Sequence, residues 1–325
     1  MQTDPGVAFL ASLLAETLPR VARIAALVAA GVFLANLAVA FGLVERVAAL
    51  SRYLTGPANL PDEVGTAILT TAASTTAGYG MLAEFRESGM LDDRATLVAV
   101  TINTFFGFVQ HVFTFYLPVL VPILGAEVGF TYVGARAGIA LGISLAGVLG
   151  GAVLLSERNV DPTATVAAEF DGGADRTTRE AVSHAYGRTV PKLKRLVPRL
   201  AVVYVLVTAL VRVVDPRSLT AAADPLANLI GLPGAAVPVV AIFALDTTTG
   251  AVTVAPLVGE AFTPRQAVAT MLVGGIVSFA VSTFKRSIPF QYGVWGPSFG
   301  SKVVAVNTAL KVVFIGLALV VVLGA

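Results

Sequence analysis

Ser74-Thr75-Thr76-Ala77-Gly78 in the first half of the chain is answered by Asp246-Thr247-Thr248-Thr249-Gly250 in the second, 172 positions further on. Each stretch is a polar, glycine-broken interruption inside an apolar segment. Other landmarks keep the offset: Pro19 with Pro191, Arg20 with Lys192, Arg23 with Arg195, and Leu60-Pro61 with Leu232-Pro233. Single matches come cheaply in so Ala/Val-rich a chain, but a constant offset over this span does not. An internal repeat whose halves each carry an interrupted hydrophobic segment points to a transporter, with the interruptions at the substrate site.

Composition sets the class. Of 325 residues, 56% are hydrophobic and 13% charged, and the mean hydropathy is +0.83. A soluble protein carries roughly 25% charged residues. Several apolar runs reach the ~20 residues that cross a hydrocarbon core of about 30 Å. The expectation is an all-α polytopic membrane protein. A secretory signal fits the start poorly, because Met1-Gln2-Thr3-Asp4-Pro5 lacks a basic region and the apolar run after Arg23 is too long. No cysteine is present, which excludes disulfides and thiolate metal sites. A net charge of +2 gives no reason to expect a nucleic-acid surface.

Along the chain, residues 7–18 read as an amphipathic lead-in helix and 21–43 as a span. Residues 44–53 read as a helix lying in the interface. Residues 61–85 are apolar at both ends and polar in the middle, 96–117 form a span ended by Pro118, and 131–155 form a Gly/Ala-rich span. The second half repeats the order, with spans over 196–214, 264–284 and 302–323, an interfacial stretch over 217–229 and a polar-centred segment over 233–257. This divides the chain into a first repeat, 1–156, a polar linker, 157–195, and a second repeat, 196–325.

The polar-centred segments admit two structures. Each could be one full span, giving four crossings per half and parallel repeats. Alternatively each is a re-entrant hairpin of two half-helices, giving about three spanning helices plus the hairpin per half and two inverted repeats. Gly78-Tyr79-Gly80 favours the hairpin, since each glycine costs a helix roughly 1 kcal/mol relative to alanine. Irregular backbone at membrane depth would then sit where protein or water surrounds it. In the inverted arrangement Arg46, Arg52, Arg86 and Arg94 share a side with the basic linker, while Arg20, Arg23, Arg136, Arg212, Arg217 and Arg265 lie opposite. The positive-inside rule then places the linker in the cytoplasm and both termini outside.

The candidate site follows from the tips. Half-helix N-termini aim free N–H groups and a positive dipole end at whatever lies between them, and Ser74, Thr75, Thr76, Thr247, Thr248 and Thr249 add uncharged donors and acceptors. The competing reading is that these hydroxyls bond the carbonyl one turn back. Asp246, an acid in an apolar segment, is a functional candidate by default, or the N-cap of the second half-helix. Asn103, Gln110 and His111 fall on one long span, the first two sharing a face. They either line a path or bond a neighbouring helix. Ser278, Ser282 and Thr283 occupy comparable places in the second half, ahead of Lys285-Arg286, a basic pair that either snorkels to the interface from a helix end or faces an anionic ligand. Trp295, in the turn Gly293 to Ser298, reads as a membrane-interface anchor.

With these motifs in place, the chain resembles the Gate family, or nucleoside-recognition domain membrane proteins, of archaeal type. The resemblance rests on Asn228-Leu229-Ile230-Gly231-Leu232-Pro233 leading into Thr247-Thr248-Thr249-Gly250, on Ser287-Ile288-Pro289, and on the two-repeat layout. It implies the hairpin-plus-helices unit of concentrative nucleoside transporters and of the membrane part of ferrous-iron transporters, and a substrate role for Ser74 to Thr76 and Asp246 to Thr249. The iron transporters' tip cysteine and GTPase domain are absent here. The nucleoside transporters' second tip carboxylate is replaced by Ser74.

The expected function is therefore a permease for a small polar solute, nucleoside-like or an ion, bound at the midplane between the two tips. The alternative is a non-transporting Gate-type scaffold that binds a partner. No enzymatic activity, metal or cofactor is expected beyond a coupling ion such as Na+ or H+. The expected partners are the lipid bilayer of the cell membrane, the solute and, in an assembly, further copies of the chain as a homo-oligomer.

Overall fold

The computed structural model describes residues 5–40, 52–161, 178–213, 231–282 and 287–324, and these form helices with no strand among them. In chain order the main helices are α1 (Pro5–Ala40), α2 (Asp62–Ala73), α3 (Thr75–Glu87), α4 (Asp93–Leu124) and α5 (Ala126–Leu154). They are followed by α6 (Thr178–Val213), α7 (Ala236–Leu245), α8 (Thr247–Val254), α9 (Pro264–Ser282) and α10 (Ile288–Gly324). The interfacial stretches 44–51 and 217–229, linker residues 162–177, Asn228 to Ile230, Thr283 and Lys285-Arg286 lie outside the described residues.

Among the described residues three helices, α4, α5 and α10, are long and apolar enough to cross a membrane, at 32, 29 and 37 residues. At 1.5 Å per residue each exceeds the ~30 Å hydrocarbon core. The helices α2, α3, α7 and α8 are much shorter, at 12, 13, 10 and 8 residues, or about 12–20 Å.

Each short pair is a helical hairpin closed by one extended residue. Ser74 (φ −147°, ψ 107°) separates α2 from α3, and Asp246 (φ −154°, ψ 119°) separates α7 from α8. The hydrogen bonds around them match. The Ser74 N–H donates to the Thr70 carbonyl and the Gly78 N–H to that of Ser74, while Asp246 donates to Ile242 and Gly250 to Asp246. Each break residue also caps its second helix, Ser74 Oγ accepting from Ala77 N–H at 3.4 Å and Asp246 Oδ1 from Thr249 N–H at 2.6 Å. The glycines four residues on let the arms close. A Cβ on Gly78 would collide with Thr71 Oγ1 and stand 2.6 Å from the Ala67 carbonyl oxygen, and one on Gly250 would stand 2.6 Å from Phe243 Cα. The arm after each break therefore lies back against the arm before it.

A second pair of breaks precedes the last long helix of each half. Gly125 (φ 80°, ψ 169°) opens α5, and Gly296 (φ 72°, ψ 164°) kinks α10. A positive φ of this kind is open to glycine and strained for other residues.

Two apolar clusters form the interior, and each borrows from the other half. Around the first hairpin, Ile68, Leu82, Phe85 and Phe106 pack with Trp295, Phe299 and Val303 of α10. Around the second, Phe243, Val252 and Leu272 pack with Tyr116, Leu120, Val128 and Tyr132 of α4 and α5. Trp295 is accordingly an interior residue and not an interface anchor: it is 6% exposed, its ring meets Tyr79 and Phe299, and its Nε1–H donates to Gln291 Oε1 at 2.6 Å. Arg136, read as a flanking loop charge, instead lies ten residues inside α5, because that helix begins at Ala126. The lead-in and first span are one helix, α1, with Pro19 inside it. Likewise Pro118 does not end α4, because residues Val112–Leu120 wind as a π-helix and carry the proline within it.

At one end of the bundle, Asp93 joins the halves. Its Oδ1 accepts from Arg86 Nη2 at 2.7 Å and its Oδ2 from Lys302 Nζ at 2.9 Å, while the Arg86 guanidinium lies 4.3 Å from the Phe299 ring centroid. These groups are partly exposed, so the charge contribution is modest, on the order of 1 kcal/mol or less. Asp93→Asn is expected to lower the melting temperature slightly in low salt and to match the wild type in about 1 M salt, where screening acts within ~3 Å.

Candidate functional site

A cavity of about 140 Å³ lies beside the second break, lined by Tyr116 of α4, Tyr132 and Arg136 of α5, Phe243 and Thr247 at the break, Ser278 and Phe279 of α9, and Lys311 of α10. Six helices therefore contribute to it, two of them from the first half. Phe243 forms its wall because glycines flank the ring: Gly250 on α8 and Gly274 on α9 both approach it too closely for a Cβ. Tyr132 meets the same ring edge-to-face at 6.4 Å.

Two cations face this space. Arg136 is ten residues into α5, about 15 Å from its start, and Lys311 sits thirteen residues before the end of α10. Both therefore lie well inside helices long and apolar enough to cross a membrane. Insertion scales put such a charge at roughly 2.5–3.5 kcal/mol at a helix centre. Part of this cost is offset locally. The Tyr116 hydroxyl is within hydrogen-bonding reach of Arg136, and the Lys311 ammonium lies 4.1 Å from the Phe279 ring centroid, a cation–π contact worth about 0.5–2 kcal/mol. Neither cation pairs with a carboxylate among the described residues, and the lining contains no acid. Thr247 and Ser278 add hydroxyls, and Thr247 is the first residue of α8.

Of the ten candidates named from sequence, Thr247 alone lines this cavity. Asp246, next to it, uses Oδ1 to accept from both the backbone N–H and the hydroxyl of Thr249, at 2.6 and 2.7 Å. Thr248 is partly buried beside them. The first-half candidates meet at the first hairpin instead. Thr75 donates to Gln110 Oε1 at 2.7 Å, and Asn103 Nδ2 donates to Thr71 Oγ1 at 3.0 Å. Asn103 is 1% exposed, and its Oδ1 has no partner among the described residues. Ser74 is the cap already described, Thr76 is exposed, and His111 Nδ1 lies 2.9 Å from the Gly107 carbonyl on an exposed part of α4. Ser278 reaches the cavity as its place in the second half suggests. Arg136 and Lys311 were missed as site residues, although a single lysine in the apolar run 303–323 was the available signal.

No protein-family model matches the chain. It is similar to two proteins of Methanocaldococcus jannaschii. Uncharacterized protein MJ0871 is 25% identical over 298 residues, covering 89% of this chain and 88% of the relative. Uncharacterized protein MJ0880 is 24% identical over 303 residues, covering 91% and 95%. At this coverage the similarity takes in both hairpins. No solved structure matches.

Proposed function

We propose that the chain is a membrane permease for a small polar solute, built from two inverted repeats of Gate type, with its solute seated in the cavity beside Asp246 and Thr247. One observation carries this reading: a polar cavity lies beside the break at Asp246, and one charged side chain from each half, Arg136 and Lys311, faces it. The short arms support re-entrance, because at about 12–20 Å none of them spans a ~30 Å core alone. The matched breaks at Ser74 and Asp246 support the repeat, and inversion follows from three crossings per half. The linker is assigned to the cytoplasm by its basic residues.

A scaffold is the second reading, and the first hairpin favours it. There the hydroxyls and amides bond one another, Thr75 with Gln110 and Thr71 with Asn103, which a structural contact requires and a solute chamber does not. Uptake by reconstituted proteoliposomes separates the two, using a panel of nucleosides and small anions under Na+ or H+ gradients. Asp246→Asn serves as the mechanistic variant, because asparagine keeps the oxygen that accepts from Thr249 while losing the charge. Its melting temperature is expected to stay near the wild type, whereas Asp246→Ala loses the cap and about 1 kcal/mol. Uptake is expected to be abolished in Asp246→Asn. Normal uptake in that variant removes the carboxylate from the mechanism, and no uptake of any solute by the wild type supports the scaffold.

A further inference from the structure

We propose that the solute of this cavity is a small anion, an oxyanion or a short carboxylate, held between Arg136 and Lys311. The inference rests on the permease reading only for the word solute; the binding chemistry stands on the cavity itself. Two like charges share one small space in the middle of the protein, and no acid among the described residues lines it. Each repels the other, and a bound anion is the group that turns the repulsion into attraction for both. The guanidinium offers a planar fork suited to a carboxylate or phosphate edge, and the ammonium adds a compact charge on the far side. The hydroxyls of Thr247, Ser278 and Tyr116 can donate to its oxygens without adding charge of their own.

Size points the same way. At about 140 Å³ the cavity falls below the roughly 300–1,000 Å³ of sites that take drug-sized ligands. That suits sulfate, phosphate or a short carboxylate better than a nucleoside. The apolar walls, Phe243, Phe279 and Ile315, suit the hydrocarbon end of a carboxylate and strengthen charge–charge attraction by excluding water.

The test is thermal stabilisation of the delipidated, detergent-purified full chain by sodium sulfate, phosphate, acetate or benzoate, at ionic strength fixed with sodium chloride. At least one of these anions should raise the melting temperature of the wild type in a saturable way. Lys311→Gln and Arg136→Gln should each weaken that effect by about tenfold or more, as expected for loss of a charged hydrogen bond. Arg136→Lys and Lys311→Arg keep the charge and guard against misfolding; each should retain more of the effect than the glutamine variant at the same position. Organic phosphorus measured before delipidation separates the sources: phosphorus held by the wild type and lost in the glutamine variants marks a lipid headgroup, and stabilisation by added phosphate marks a free anion. Either result supports the anion site. Equal stabilisation of the wild type and both glutamine variants overturns it, as does no response to any anion together with no retained phosphorus. Binding without uptake in proteoliposomes leaves the anion site standing and defeats the permease reading. Uptake of a neutral nucleoside unchanged in both glutamine variants does the reverse.

Discussion

Gly78→Ala should lower the stability of the protein by about 3 kcal/mol, although alanine is the better helix former. Helix propensity alone would favour the change by up to about 1 kcal/mol. Against this, the new methyl would meet Thr71 Oγ1 and stand 2.6 Å from the Ala67 carbonyl and 2.7 Å from the Thr71 nitrogen. A hydroxyl can rotate away, but two backbone atoms of α2 cannot. The arms must therefore separate, in a region where overpacking costs typically 1–3 kcal/mol and occasionally more. Gly80, two residues on in the same helix, has open space around its Cβ position. Gly80→Ala is thus expected to leave the melting temperature unchanged or raise it slightly. Melting of the two variants in detergent checks the hairpin directly. If Gly78→Ala melts with the wild type, α3 does not lie against α2 as described.

Phe243→Ala is expected to cost about 2–4 kcal/mol. Phe243 is 1% exposed, held between Gly250 and Gly274 and against Tyr132. In a membrane protein the transfer term is small, because lipid chains are as apolar as the interior. What is lost is contact, and the neighbouring glycines have no side chains with which to refill the space. A void of this sort costs about 24 cal/mol per Å³, and in soluble proteins the full change to alanine costs about 3–5 kcal/mol. Because Phe243 lines the cavity, the space left by its ring opens into the one that Arg136 and Lys311 share. A variant that melts normally would show that the ring is not a packed wall of the cavity.

Much of the helical plan was legible because it depends on local chemistry. Ser74 and Asp246 are N-cap residues followed by glycines at matched offsets, and the backbone turns at both. Apolar length was enough to find α4, α5 and α10. The misses share a cause: sequence shows that a residue is charged or aromatic near an apolar run, but not how far the helix extends beyond it. Arg136 looked like a flanking charge because the preceding Ala126 to Phe130 was not counted as helix. Trp295 looked like an interface residue because nothing local indicates that Tyr79 and Phe299 surround it. Of the candidate site, Thr247 and Ser278 could be found as hydroxyls in the right segments. The partnership of Arg136 and Lys311 could not, since it joins residues 175 positions apart on helices of different halves.

The π-wound stretch of α4 has a geometric effect on the two hairpins. An α-helix advances 100° per residue, whereas π winding takes in an extra residue before its ladder closes, so each residue past His111 lags behind the regular sequence of directions. Gln110, before the stretch, turns toward Thr75, and Tyr116, within it, turns toward the cavity beside Asp246. One continuous rod is thereby keyed at two different angles to two separate partners. Tightening or loosening of that winding would change the phase between the keys, turning one hairpin's contact relative to the other's as a camshaft offsets its lobes.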